Sequence, residues 1–196
     1  MCYSILNDTR GGARASPSDR GTAMISKIPP DHPLRRLFRG MVEQVFHTEI
    51  GICDTRVTDY LGELLGDFVH MDQIYRLRSV DGRAIREVSR MEAEALLAEN
   101  ISETQRRHLV NRYIGDFTLF WVGLYPETLH RRRDDRLTEY LRQGKQSYGI
   151  AGELAPPDSH PPGELLNRLS EEFECCVHGL HLVREGWRGQ GPLDSN

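Results

Sequence analysis

The sequence predicts a mainly α-helical protein, an irregular bundle of about five or six helices with one short β-hairpin. Three observations predict it. Apolar residues recur three and four apart through several long segments, capping and breaking residues bound those segments, and a single short passage alternates as a strand does. The chain has 196 residues, 38% hydrophobic and 28% charged. A domain of that size buries roughly 70% of the surface an unfolded chain exposes, so it folds without disulfides or a structural metal. The net charge of −4 argues against a nucleic-acid binder that relies on its overall field. The expected organisation is a disordered tail over 1–28, a single helical domain over 29–186 and a disordered tail over 187–196.

The first helix follows Asp31-His32-Pro33 and carries Leu34, Leu37, Phe38, Met41, Val42, Val45 and Phe46 on one stripe. Asp31 or His32 can cap it and Pro33 suits its first turn, where a missing N–H is harmless. Gly51 ends it. A second helix starts near Asp54-Thr55, with Val57, Leu61, Leu64, Leu65 and Phe68 inward and Asp59, Glu63 and His70 outward. The two should pair antiparallel. From Ile74 to Val88 the pattern changes, because Tyr75 and Leu77 alternate with Arg76 and Arg78 ahead of Asp81-Gly82. Asp-Gly between such arms predicts the hairpin. A third helix is expected from Ser89 through Leu97.

The segment Glu103 to Tyr125 is the centrepiece, apolar almost all round from Ile114 onward. Such a helix is normally buried. Gly115, Thr118 and Gly123 permit close approach by neighbouring helices, and Pro126 stops or kinks the chain. Asp116 is its anomaly: a buried carboxylate must be paired or protonated, and Arg112 lies one turn earlier. Asp134-Asp135 open a further helix that Gly149 and Gly152 end, and a last helix runs from Gly163 to about Arg184.

Metal ligation is the first chemistry to weigh, since there are eight histidines. No inward Glu-x-x-His motif appears. Glu43 and His47, and Asp67 and His70, have helical spacing, but both histidines fall opposite the apolar stripes. Glu174, His178 and His181 share one side of the last helix and could meet one zinc or nickel ion. That side lies opposite Phe173 and Leu180, so a solvated polar face is the competing reading. No cofactor is expected.

Glu49 continues the apolar stripe of the first helix and could be buried. With Asp116, Arg112 and Tyr148 it could line an interhelical polar pocket, with Tyr113 or Tyr125 as further hydroxyls and Trp121 as a wall. The competing reading turns Glu49 to water and makes Asp116 a structural partner of Arg112. Nucleophile elbows and phosphate loops are absent, since Ser147 and Gly144-Lys145 match neither pattern. Arg35-Arg36, Arg106-Arg107 and Arg131-Arg132-Arg133 are short basic groups diluted by nearby acids, which reads as a salt-bridged surface and not a nucleic-acid site.

Cys2, Cys53, Cys175 and Cys176 form no C-x-x-C pair, and no cationic start precedes an apolar signal stretch, so the cytoplasm is the expected compartment. Met24 is a candidate alternative start. No apolar run reaches the roughly 18 residues of a spanning helix.

The phrases Arg112-Tyr-Ile-Gly-Asp-Phe-Thr-Leu-Phe-Trp-Val-Gly-Leu-Tyr-Pro-Glu127, Gln143-Gly-Lys-Gln-Ser-Tyr148 and Leu169-Ser-Glu-Glu-Phe-Glu174 resemble those of a small family of uncharacterised bacterial all-helical proteins. The resemblance covers residues 34 to 185 and implies a bacterial cytoplasmic protein, with no activity to transfer. The expected function is therefore a non-catalytic helical interaction or regulatory protein that binds a protein partner or its own copy. The alternative is a ligand-, metal- or cofactor-binding helical protein, an enzyme included, using the Asp116 pocket, with a small molecule as its partner.

Overall fold

The computed structural model describes residues 31–78, 101–129 and 135–189. Within them α1 spans Pro33–Val45, a π-helical turn Phe46–Ile50, α2 Thr55–Arg78, α3 Glu103–Leu124, α4 Pro126–Leu129, α5 Asp135–Glu153, α6 Gly163–Glu171 and α7 Phe173–Gly189. No strand occurs among the described residues. The tail expected over 1–28 and the helix expected over 89–97 lie outside them.

Local chemistry sets the boundaries. His32 Nδ1 accepts the Leu34 N–H at 3.2 Å, which caps α1, and Pro33 opens its first turn. Gly51 closes the π turn with φ at 82°, a left-handed conformation that favours glycine. Ser102 and Gln105 form a reciprocal capping box at the start of α3. Pro126 follows Tyr125, where α3 has stopped, and the chain turns into the short α4.

The expected hairpin is corrected by α2, which runs unbroken through Ile74 to Arg78. Once a helix is nucleated, each added residue gains a hydrogen bond at little cost, and a four-residue alternation is too short to outweigh that. The remainder of the hairpin lies outside the described residues. Nor does Gly149 end α5: the helix passes it and stops at Glu153. Both late glycines instead admit α6, Gly149 beside Ser170 and Gly152 beside Asn167 and the Gly163 carbonyl. The single last helix is two, broken at Glu172, and α7 continues past Arg184 to Gly189. There the Trp187 ring stands edge-on to Phe38, with centroids 5.3 Å apart.

α1 and α2 are antiparallel, as expected: Arg35 packs on Gly66 and Arg39 on Gly62. α7 lies antiparallel to α1, with the Phe46 ring against Gly179 and Met41 near Gly186. α3 is the central helix and is buried from Ile114 to Leu124. It meets α5 where Gly115 faces the Tyr148 ring, and α7 where Gly123 faces Leu180. One core runs through the bundle, built on Phe38, Phe46, Leu61, Phe117, Leu166 and Phe173. Among the described residues no helix is long and apolar enough to cross a membrane.

Candidate functional site

Three helices meet at Asp116. The carboxylate projects from the buried half of α3, and Tyr60 on α2 and Tyr148 on α5 both donate to its Oδ1, at 2.5 and 2.7 Å. Its Oδ2 faces Arg112 Nε at 3.7 Å, one turn back along α3. That guanidinium also donates to the Tyr60 hydroxyl at 3.4 Å and, through Nη1, to the His160 carbonyl at 3.0 Å. A contact with the loop between α5 and α6 is thereby added. Gly115 makes the arrangement fit, since a Cβ there would stand 2.8 Å from the Tyr148 ring.

Burial shapes the electrostatics. Desolvation pushes the Asp116 carboxyl above its ordinary value, against the opposing pull of Arg112 and of the two phenols. Burial and then the Asp116 charge hold both phenols well above the usual tyrosine value, so they stay neutral donors. The node can therefore hold either a charge balanced by Arg112 or a proton on the carboxyl.

Of the residues expected around a pocket, Arg112, Asp116 and Tyr148 come together and Glu49 does not. Glu49 is exposed, with its carboxylate within 3.4 Å of the Thr48 hydroxyl. The π turn is the reason: its wider winding, over Phe46–Ile50, shifts the following residues off the 3.6-residue register that places Glu49 inward. Ile50 packs against the core in its place. Tyr113 stacks with Phe68 and Phe117, Tyr125 lies under Arg184, and Trp121 joins the Phe117, Phe120 and Tyr125 rings. Sequence reasoning missed Tyr60, whose one signal was a polar tip on the flank of the α2 stripe.

The side of α7 expected to hold a metal is divided among other tasks. Glu174 receives Lys145 at 3.2 Å, His178 is exposed, and His181 Nδ1 is buried with no hydrogen-bond partner. Among the described residues no three metal-ligating side chains converge. His108, which the sequence left unremarked, is buried with Nδ1 2.8 Å from the Ala151 carbonyl. A carbonyl can only accept, so Nδ1 carries the proton.

Arg35 departs from the surface reading of the basic groups. It is buried on α1, donating to Glu63 at 2.5 Å and to Asp67 at 2.6 Å, while Arg39 also binds Glu63. Arg184 is likewise buried and paired, forking onto Glu127 beneath α4. At the start of α2, hydrogen bonds from the Arg56 side chain and N–H hold the Asp54 carboxyl down at about 2, with Arg168 beside it. Cys53 and Cys175 are exposed, whereas burial pushes the Cys176 thiol up to about 12.

Fold and site together define a helical bundle closed around a buried carboxylate held by two phenols. No family model, curated protein or solved structure matches the chain.

Proposed function

We propose that this chain is a non-catalytic helical interaction or regulatory protein, bound by a protein partner or a second copy where α1 begins and α7 ends. The observation that carries the reading is the exposure of Leu37, at 42%, and Trp187, at 36%, beside the fully buried Phe38. Tryptophan is enriched where proteins bind one another, because it buries a large area at a small entropic cost. The test compares the full-length chain with Leu37→Ser/Trp187→Ala. Sedimentation reads self-association, and crosslinking in the native host reads a partner. The double variant should lose the larger species while its far-UV circular dichroism stays unchanged. Equal association by both proteins refutes the reading.

A second reading, ligand binding at Asp116, is favoured by Arg112 alone. Its side chain is 32% exposed yet touches the buried carboxylate, so a polar small molecule reaches the node by displacing it. Asp116→Asn separates the two readings: lost ligand binding with folding retained supports the pocket, and lost stability supports a structural node.

A further inference from the structure

We propose that Asp116 and Arg112 form a charge latch that holds the loop over residues 154–162 against α3, and that placing a proton on Asp116 releases the loop. Arg112 joins the two ends of the device. Its Nε lies 3.7 Å from the buried carboxylate, and its Nη1 donates to the His160 carbonyl in the loop. An ionised Asp116 supplies the counter-charge that keeps this partly buried guanidinium in place. Once the carboxyl is neutral, the cation gains by swinging to water, because an unbalanced charge is costly in a desolvated position.

Linkage makes the effect reciprocal. Arg112 holds the Asp116 carboxyl lower than burial alone would, so protonation must favour the arrangement in which Arg112 has left. The other groups around the carboxyl do not replace it. Tyr60 on α2 and Tyr148 on α5 stay neutral, and Cys176 on α7, beyond Tyr148, is held as a thiol. Asp67 on α2 adds a negative charge that favours the proton, although Arg35 bonds it at 2.6 Å. Within the loop, the Ser159 hydroxyl donates to the Pro161 carbonyl and the Ser159 N–H to the Pro156 carbonyl, local bonds that must open for the Ser159 amide to exchange.

His160 itself carries an imidazole in the loop, so the test must separate that side chain from Asp116. Amide hydrogen exchange of Leu154, Ala155 and Ser159, whose N–H groups are bonded to Ile150, Gly152 and Pro156, is normalised to intrinsic rates and followed from pH 8 to pH 4.5 in the full-length chain. Exchange should quicken about tenfold on acidification, the loss of one charge-assisted hydrogen bond, with a midpoint above the ordinary carboxylate range. His160→Gln keeps the carbonyl and should behave as wild type. Asp116→Asn should exchange fast at every pH while Phe117 to Val122 stay protected. Should that variant fail to fold, Arg112→Lys decides, because lysine keeps the charge but lacks the fork that reaches both partners. Fast, pH-independent loop exchange in Arg112→Lys supports the latch. A flat wild-type profile, a transition abolished by His160→Gln, or an unchanged transition in Asp116→Asn or Arg112→Lys overturns it.

Discussion

Among the places where the bundle buries a charge, Asp116 and Arg35 do so in opposite ways. On α3 an anion, Asp116, is held by neutral phenols from α2 and α5, with its one cation at 3.7 Å. On α1 a cation, Arg35, is held by two carboxylates of α2, whose side chains are 41% and 32% exposed. At the first site the carboxylate and the Tyr148 hydroxyl lie away from water, and only the Arg112 side chain is partly exposed. The second opens onto water, where Glu63 and Asp67 can be hydrated if Arg35 is lost. Removing the central charge should therefore cost more at Asp116 than at Arg35, although Arg35 makes the better ion pairs.

Asp116→Ala gives the largest expected effect, about 3–5 kcal/mol of unfolding free energy, because it strands two buried hydroxyls and a partly buried guanidinium. Chemical denaturation reads it. A loss no larger than that of Arg35→Met would break the contrast. Gly115→Ala comes next at about 1–3 kcal/mol, since the new methyl would press on a Tyr148 ring that is fully buried and pinned by its bond to Asp116. Arg35→Met should lose about 1–2 kcal/mol, as its carboxylates rehydrate and the methionine still fills the space against Gly66.

The smallest effect is one of pH. The folded Asp116 carboxyl sits above its unfolded value, so the native state binds the proton more tightly. Its contribution is fully present below the unfolded value and is lost as pH rises through the folded one. The stability of wild type relative to Asp116→Asn should accordingly fall between pH 4 and pH 8, measured by urea unfolding at each pH. A difference that is flat or rises across that interval would sink the assignment of a desolvated carboxyl.

Much of the fold was legible because it follows from local periodicity. The α1 stripe, the cap at His32 with Pro33, the stop at Gly51 and the all-round apolar α3 each depend on residues within a few turns of one another. Asp116 was legible for the same reason, as a carboxylate in an apolar helix. Its partners were less so: Tyr60 lies 56 residues away, and pairing across helices depends on which faces meet. Glu49 failed for a sharper reason, since a single π turn shifts the register and nothing in Phe46-His-Thr-Glu-Ile50 announces the extra residue. Arg35 departs from the surface expectation because a basic pair at a helix start is ordinarily solvated, whereas here Arg35 is buried against α2. It took Gly62 and Gly66, on the facing helix, to make room for arginine stems.

The glycines of α3 and α5 also fix how far neighbouring helices can travel. α5 inserts the Tyr148 ring over Gly115 of α3 and, one turn away, takes the Phe173 ring of α7 over its own Gly144. Each ring sits in a notch whose walls are the side chains of the next turn. Translating α5 by one helical turn, about 5.4 Å, would lift both rings out of their notches and drive them onto occupied positions. The two notches face different neighbours, α3 and α7, so α5 is held on two sides. α5 behaves as a bolt keyed from two sides, and its packing opposes axial sliding.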